Sequence, residues 1–353
     1  MVSVLRCAST ETGDEKHSSL ETIASTPSST IEPIDNLITP KRGFYKGFAS
    51  LLPIDDSFEN SHEKAAEHAE FVNIWVGAPD AGYWNLAEYL EGSWGDNFVE
   101  SFVRENGIVP IINMSFIDKD SVTGQLILKI PEGKKYTSLS DPGFREAYKK
   151  GAIDAVKISQ PLYFSVGNEV NRWYEQYGAD TGDPNGFEHF VSLYEETYDA
   201  IKELSPETKV FCIFAREIVD ENREADLEVL KLFTPEKLDI LAFTSYPFAV
   251  QEINSVSDIP DDYYSKSLDY LGTPDKPFGF TELSWSMLDF FGGEEAQAKF
   301  LTDAAGRLTI EQGVNLHLLG WWSLYDLEMD PHSTGLITWD GREKAVYKAW
   351  SDL

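Results

Sequence analysis

Two glutamates follow short apolar runs and could together perform acid–base and nucleophilic chemistry. Glu169 follows the run LYFSVGN at 162–168, and Glu282 lies in FTELSW at 280–285. One carboxylic acid can protonate a leaving oxygen while a second carboxylate attacks the carbon that this oxygen leaves. In retaining glycosidases the two groups are about 5–5.5 Å apart. The pair therefore predicts cleavage of glycosidic bonds, provided that the fold brings these two positions together.

Eight short apolar runs alternate with longer amphipathic stretches after residue 41. Continuous apolarity with β-branched and aromatic residues is typical of strands buried on both faces, as in a parallel sheet. The intervening stretches predict helices: 141–158 opens with an Asp cap and a first-turn Pro, and 185–205 places its large apolar residues on one face. The runs are 43–51, 71–76, 107–116, 162–168, 209–214, 238–246, 276–283 and 315–324.

Eight strand–helix units predict an α/β fold, a single (β/α)8 TIM barrel over residues 42–353. A doubly wound sheet is the alternative, but no GxGxxG motif follows the first run, which argues against its dinucleotide-binding form. In a barrel, the active site lies at the C-terminal ends of the strands. Glu169 after the fourth run and Glu282 in the seventh would then meet at one mouth.

Residues 1–41 predict a flexible tail. Residues 8–40 are rich in Ser, Thr, Glu and Pro and lack helical or strand periodicity. The start, MVSVLRC, lacks the apolar core of a signal peptide, whereas Cys7 followed by this spacer is similar to the remnant of a lipoprotein signal. We therefore expect a secreted or cell-surface protein, lipid-anchored in its precursor. No apolar run approaches the roughly 20 residues of a membrane helix.

Charge and composition limit the possible partners. The chain has 60 Asp and Glu against 29 Lys and Arg, a net charge of −31. Such a surface repels phosphate backbones, so we expect no nucleic-acid partner. Cys7 and Cys212 indicate neither a disulfide framework nor a zinc cluster, and the six His show no metal-ligand spacing. We expect no metal, no cofactor, and a monomer that acts on carbohydrate.

Aromatic residues are frequent where the predicted strands end. The chain has nine Trp, 16 Tyr and 21 Phe in 353 residues. Flat aromatic faces bury the C–H faces of sugar rings, while their polar edges offer hydrogen bonds. This abundance favours a carbohydrate ligand. The aromatic residues that follow predicted strands are Tyr83, Trp84, Trp94, Trp173, Tyr174, Trp285, Trp321 and Trp322.

A set of motifs at these strand ends resembles the clan A glycoside hydrolases. SVGNEV ends the fourth strand, TSYP the sixth, FTELSW the seventh and GWW the eighth, and the chain closes with TGLITWDGREKAVYKAW. The resemblance covers nearly the whole chain after the tail. Within the clan, the GNE stretch, the sixth-strand motif and the strand-seven glutamate are most similar to the endo-β-1,4-galactanases of the arabinogalactanase family.

The resemblance implies a retaining, two-glutamate double displacement, endo-acting on β-galactan, β-mannan or β-glucan. Glu169 would be the general acid/base and Glu282 the nucleophile. Asn168 would bind the substrate 2-hydroxyl, and Tyr246 would hydrogen-bond Glu282 and keep it ionised. These roles predict a raised pKa for Glu169 and a depressed pKa for Glu282.

The resemblance also implies subsite residues, with two departures. Clan A enzymes often carry an Arg near the end of strand two and a His after strand three or six, but here strand two ends in VGAPD and strand three in NMSF. Arg216, after strand five, is the candidate for the missing charge. One of Trp321 and Trp322 is expected to pack and the other to lie under the sugar. The remaining candidate substrate contacts are Trp75, Asp80, Asn113, Ser115 and Trp285.

Two other classes of function stay open. A non-catalytic carbohydrate-binding protein on a hydrolase-like barrel would keep the aromatic residues and lose an acid, yet both glutamates are present. A phosphosugar isomerase or an aldolase would need a Gly-rich phosphate loop after the seventh or eighth strand, or a Lys at a strand end. Neither feature is evident in the sequence.

Overall fold

A ring of parallel strands forms the centre of the protein. The computed structural model describes residues 30–50, 63–76, 81–327 and 330–353. Within these ranges, the eight predicted apolar runs all contribute strands to the ring, which confirms the (β/α)8 barrel. The strands are β1 (Tyr45–Ser50), β2 (Phe71–Ile74), β3 (Val109–Asn113), β4 (Tyr163–Ser165), β5 (Lys209–Phe211 and Ile213–Ala215), β6 (Leu241–Ser245), β7 (Phe278–Leu283) and β8 (Leu316–Ser323).

The ring closes at two places. β8 returns to β1, with Leu318 opposite Tyr45. β5 is interrupted at Cys212: its first segment pairs with β4, where Phe211 lies opposite Ser165, and its second pairs with β6, where Ile213 lies opposite Ala242. Neighbouring strands are parallel throughout. The C-terminal ends of all eight strands therefore lie on one rim of the barrel.

Alternating side chains divide the core into two layers, because successive residues of a strand point to opposite faces. Residues such as Phe71, Ile111, Phe211 and Leu318 form the cluster inside the barrel. Their strand neighbours join a larger cluster between the strands and the helices. We call this alternation strand parity: along one strand, every second residue points inwards and the others point towards the helices. Strand parity decides which polar residues reach the mouth of the barrel.

The described helices lie outside the barrel, and two of them, α2 and α4, match the predicted segments 141–158 and 185–205. Asp141 caps α2 as predicted, with its Oδ1 accepting from the backbone N–H of Gly143 at 2.8 Å. Trp350 of the last helix packs on Phe48 of β1, with ring centroids 5.2 Å apart. The helices are α1 (Leu86–Glu91), α2 (Pro142–Ser159), α3 (Asn171–Tyr177), α4 (Glu188–Leu204), α5 (Lys266–Leu271), α6 (Gly293–Ala305) and α7 (Ala345–Asp352).

Shorter elements complete the connections. Ile117–Lys119 and Leu126–Leu128 form an antiparallel hairpin after β3, and Glu217–Ile218 pairs with Arg223–Glu224 after β5. Gly95–Val103 and Gly306–Ile310 are π-helical. Both hairpins lie in loops that follow the C-terminal ends of strands, which is where a barrel carries its functional loops.

Contacts with the barrel begin before residue 42, the predicted start of the folded domain. Residues 1–29 of the predicted tail, including Cys7, lie outside the described residues. The backbone N–H of Ile31 donates to the carbonyl of Leu204 at 2.9 Å. Asp35 accepts from Arg104 at 2.8 and 2.9 Å, and Leu37 packs against the cluster inside the barrel. The last part of the predicted tail is therefore bound to the fold, because it supplies an ion pair and apolar surface.

No helix in the described ranges combines the length and the apolar character that crossing a bilayer requires.

A buried ion pair holds the loop between β8 and α7. Lys344 Nζ donates to Asp326 Oδ1 at 2.7 Å, and their side chains are 0% and 5% exposed. The same ammonium donates to the carbonyls of Ser333 and Gly335 at 2.7 and 2.8 Å. Removing one partner of such a pair leaves a buried charge without compensation.

We expect Lys344→Met to lower the free energy of unfolding by about 3–5 kcal/mol, because Asp326 would stay buried without its cation. Urea unfolding measures this change. Lys150→Met is the matched control: Lys150 pairs with Asp154 on α2 but its side chain is 74% exposed. The control should change stability by less than about 1 kcal/mol. Equal effects of the two substitutions would contradict the role of burial.

Candidate active site

The ends of β4, β6 and β7 bring the two predicted catalytic glutamates together. Thr244 Oγ1 donates to Glu169 Oε1 at 2.8 Å, and Tyr246 Oη donates to Glu282 Oε2 at 2.7 Å. Thr244 and Tyr246 are two positions apart on one strand end, so they share a face. The end of β6, which lies between β4 and β7 in the ring, thus holds both carboxyl groups.

A β-bulge turns Glu282 towards the mouth. Phe278 and Phe280 of β7 pack in the outer layer, and strict alternation would place Glu282 there as well. The pairing of β7 with β6 shifts between Phe280, opposite Phe243, and Glu282, opposite Thr244. Thr281 is the extra residue. Bulges re-aim side chains in this way next to active sites.

Glu282 is a buried carboxyl with one strong donor. Burial raises its pKa to about 8, the negative charge of Glu169 adds to this, and the hydrogen bond from Tyr246 acts in the opposite direction. The prediction of a depressed pKa for Glu282 is therefore wrong for the ligand-free protein. The reason is physical: removal from water and a like charge outweigh one hydrogen bond. The negative charge of Glu169 thus acts on Glu282 across the mouth of the barrel.

Glu169, in contrast to the buried Glu282, is partly exposed and lies beside a cation. Its side chain is 21% exposed, and Oε2 accepts from Arg172 Nη1 at 3.0 Å. Arg172 also donates to Asp220 Oδ2 at 2.8 Å. The backbone of Glu169 has a φ of +46°, which is rare for a residue with a side chain. Conformations of this kind persist at functional sites where the surrounding structure enforces them.

Glu217 supports the site from behind β6, and sequence reasoning missed it. Its Oε1 accepts from Ser245 Oγ at 3.0 Å and from Tyr263 Oη at 2.7 Å, while Oε2 accepts from the backbone N–H of Tyr246 at 2.7 Å. Burial raises the pKa of Glu217 to about 7 although Arg216 is adjacent. These bonds fix the backbone from which Tyr246 reaches Glu282. Thr244 and Arg172 were missed too, although Thr244 shares the strand parity of Tyr246 and Arg172 follows Glu169 by three residues.

Two amide oxygens near the strand ends are buried without a protein partner. Asn168 Oδ1 and Asn113 Oδ1 are both unpaired, while Asn113 Nδ2 donates to Asn73 Oδ1 at 3.3 Å. Buried polar atoms normally have partners, so each is a candidate acceptor for a ligand hydroxyl. Asn113, Ser115 and Trp75 line one small cavity of about 80 Å³. Asp80 lies outside the described residues.

The two tryptophans of β8 separate by strand parity. Trp321 is fully buried against Phe300 in the outer layer, and its Nε1 donates to the carbonyl of Thr334 at 2.8 Å. Trp322 is half-buried and meets the ring of Tyr246 edge-on, with centroids 6.3 Å apart. The prediction of Trp321 as a substrate contact is therefore corrected, because the side chain is enclosed by the protein.

Trp285 and Arg216 are also corrected as direct substrate contacts. Trp285 is fully buried, packs against Phe300 and donates from Nε1 to the carbonyl of Phe291 at 3.1 Å. Arg216 is fully buried as well, because it continues the outward-facing parity of β5. Its guanidinium lies 3.9 Å from the ring centroid of Tyr263 and donates to Glu224 at 2.6 Å. Arg216 is therefore engaged within the protein and is not available to a substrate as the missing charge.

Within residues 30–50, 63–76, 81–327 and 330–353, no three His, Cys, Asp or Glu side chains are arranged to hold a metal ion.

Comparison with solved structures shows barrels of the same fold. GH5_18 from Streptomyces cattleya, solved with GlcNAc, is 16% identical; the match covers 88% of this chain and 79% of that one, with a TM-score of 0.56. A psychrophilic family 10 endo-β-1,4-xylanase is 13% identical over 89% of this chain and 98% of its own, with a TM-score of 0.58. Xylanase 10B from Thermotoga maritima is 14% identical over 88% and 94%, with a TM-score of 0.55.

The fold is that of the TIM-barrel glycoside hydrolases. At the level of the fold, the predicted likeness to glycoside hydrolase barrels is confirmed, while the specific likeness to galactanases stays a prediction. No family model matches the chain, and no curated protein is similar to it in sequence.

We expect Glu282→Gln to stabilise the protein most at alkaline pH. Folded Glu282 keeps its proton up to about pH 8, whereas an unfolded glutamate loses it near 4.5. The folded state therefore binds more protons between these values, and wild-type stability falls as pH rises through this window. The gain in melting temperature from Glu282→Gln should grow from pH 5 to pH 8, to about 5 °C or more, and then level off.

Differential scanning calorimetry of both proteins at pH 5, 6.5 and 8 measures this gain. Glu311→Gln is the control, since Glu311 is exposed, and it should show no such growth with pH. A constant difference between wild type and Glu282→Gln would contradict the raised pKa.

Proposed function

We propose that the protein is a retaining glycoside hydrolase that cleaves β-glycosidic bonds. One observation carries the proposal: β4 and β7 present carboxyl groups that interact, and β6 donates one hydrogen bond to each of them, at 2.8 and 2.7 Å. Paired carboxyl groups across a cleft are the machinery of glycoside hydrolysis. The fold shared with known glycoside hydrolases adds support.

Glu282 is the proposed nucleophile and Glu169 the general acid/base. Glu169 gives its proton to the glycosidic oxygen as a Glu282 oxygen attacks the anomeric carbon, so that the bond to the leaving group breaks and a glycosyl ester forms. Glu169 then removes a proton from water, the water oxygen attacks the same carbon, and the ester bond breaks. Two inversions leave the anomeric configuration unchanged.

The proposed steps need one proton shared by the two carboxyl groups. In the ligand-free protein Glu169 is paired with Arg172, and the raised pKa of Glu282 favours its protonated form near neutral pH. Catalysis needs the other arrangement, in which Glu169 holds the proton. Positive charge develops at the anomeric carbon beside Glu282 in the transition state, and this charge stabilises the Glu282 carboxylate. The transition state thus favours the reactive arrangement without a change in the number of protons.

Asn168, Asn113, Trp75 and Trp322 are the proposed substrate contacts. The unpaired amide oxygens offer acceptors for sugar hydroxyls, and Trp322 offers a ring face beside Tyr246. We propose a β-linked galactan, mannan or glucan cleaved internally, with xylan added to the candidates because two of the compared barrels are xylanases. We also propose that the protein works as a secreted or surface-displayed monomer.

Azide rescue tests the two catalytic roles. We expect Glu282→Ala and Glu169→Ala each to lose at least about 10³-fold in kcat on an unactivated β-glycan. With 2,4-dinitrophenyl β-glycosides, azide should restore turnover in both variants. Glu282→Ala should yield the α-glycosyl azide, because azide replaces the nucleophile, and Glu169→Ala the β-glycosyl azide, because azide attacks the glycosyl ester. NMR identifies the products.

A screen of galactan, mannan, β-glucan and xylan for released reducing ends identifies the glycan, and product sizes distinguish internal from terminal cleavage. Glu175→Ala is a carboxylate control, because Glu175 lies on the neighbouring helix α3 and binds Arg223 instead of a catalytic group. Full activity of either catalytic variant, or tight glycan binding by wild type with no turnover, would overturn the proposal.

The pH profile of kcat/KM tests the assignment of the shared proton. We expect activity to fall above about pH 8, where Glu282 in the free enzyme loses the proton that the reaction needs. Tyr246→Phe removes the donor that favours the charged form of Glu282. Because a hydrogen bond to a charged group contributes about 1.5–3 kcal/mol, the alkaline limb should move upwards by about one pH unit or more, with a lower kcat. A downward movement would contradict the assignment.

A further inference from the structure

A larger cavity opens beside the catalytic pair. It has a volume of about 530 Å³ and is bounded by loops that follow β5, β6, β7 and β8. We call it the apolar cavity, after the lining residues Val219, Tyr246, Phe248, Phe291, Trp322 and Leu327. Tyr246 belongs to both the apolar cavity and the candidate active site, because its ring lines the cavity while its hydroxyl donates to Glu282. A group in the apolar cavity would therefore lie next to the reacting sugar.

Three polar residues of the apolar cavity, Asp330, His332 and Thr334, are already bonded within the protein, and a fourth, Asn222, is exposed. Asp330 accepts from the backbone N–H groups of His332 and Thr334 at 2.8 and 2.9 Å. His332 Nδ1 is 3.1 Å from Ser286 Oγ, and its ring lies against Phe248 with centroids 4.8 Å apart. A sugar placed here would lose hydrogen bonds to water and find few replacements. An apolar group makes no hydrogen bonds to water and would therefore lose none on entering the cavity.

The apolar surface continues outwards from the cavity. Val219 on its wall is 43% exposed, and Phe290, whose ring touches Phe291 at 4.9 Å between centroids, is 71% exposed. Exposed apolar surface next to a cleft is typical of a binding site. The net charge of −31 would repel an anionic amphiphile. A charged group of either sign would also lose its hydration among apolar walls, so the occupant that fits these observations is uncharged and apolar.

We propose that the apolar cavity binds an uncharged alkyl or aryl group attached to the sugar, so that amphiphilic glycosides are substrates in addition to the proposed glycans. This inference rests on the proposed hydrolase function for the identity of the reacting sugar, while the binding of the apolar group follows from the cavity. The ring walls of Tyr246, Phe248 and Trp322 would contact that group directly.

The test compares octyl and methyl 1-thio-β-glycosides of glucose, galactose and mannose below their micellar concentrations, by isothermal titration calorimetry on the full chain. For the sugar that binds, the octyl compound should bind at least tenfold more tightly than the methyl compound. Val219→Asp and Phe291→Ser should each reduce this preference to less than threefold. Val219 is exposed, so its variant should fold even where Phe291→Ser does not.

Ile310→Asp is the matched control, because Ile310 is 47% exposed but lies before β8, at the opposite end of the barrel. It should keep the full octyl preference. Equal affinity of wild type for octyl and methyl compounds would overturn the inference. So would a loss of affinity for both compounds alike in Val219→Asp, which would identify a sugar subsite. Failure of the hydrolase proposal is distinguishable, since it appears as absent turnover and absent azide products with the octyl preference intact.

Discussion

The closeness of two carboxyl groups at the mouth of the barrel is the constraint on which the site depends, because the charge of Glu169 helps to raise the pKa of Glu282. Glu169 and Glu282 come from strands on different sides of the ring, and charging both would favour their separation. Thr244 and Tyr246 oppose this by donating to one carboxyl each, at 2.8 and 2.7 Å. The end of β6 is therefore the element that keeps the pair together.

Several buried polar contacts keep the end of β6 in place. Glu217 accepts the backbone N–H of Tyr246 and the hydroxyls of Ser245 and Tyr263, so the strand is fixed from the side facing the helices. Arg172 compensates the charge of Glu169 and leaves Glu282 with a single donor among the described contacts. The result is an asymmetric pair, with one carboxyl group beside a cation and the other removed from water.

Strand parity explains which sequence predictions held and which did not. The eight apolar runs were recognisable because strands buried on both faces need continuous apolar residues. Trp322 and Tyr246 share the inward parity of their strands, whereas Trp321 and Arg216 carry the outward parity and pack among the helices. Trp285 looked accessible because it follows a strand, but the loop after β7 folds over it. Glu217 gave no signal in sequence, since its role depends on β6, about 30 residues later.

The sequence by itself determined the number and order of strands, the two glutamates at strand ends and the aromatic supply, because local apolar patterns and residue types carry that information. Tertiary structure decided where those side chains point. Alternation alone would have placed Glu282 among the helices, and the bulge at Thr281, which exists only in the pairing with β6, turns it inwards. Likewise, the pKa of Glu282 depends on burial and on a charge 113 positions away in the chain. Such effects act through space, which local sequence patterns do not record.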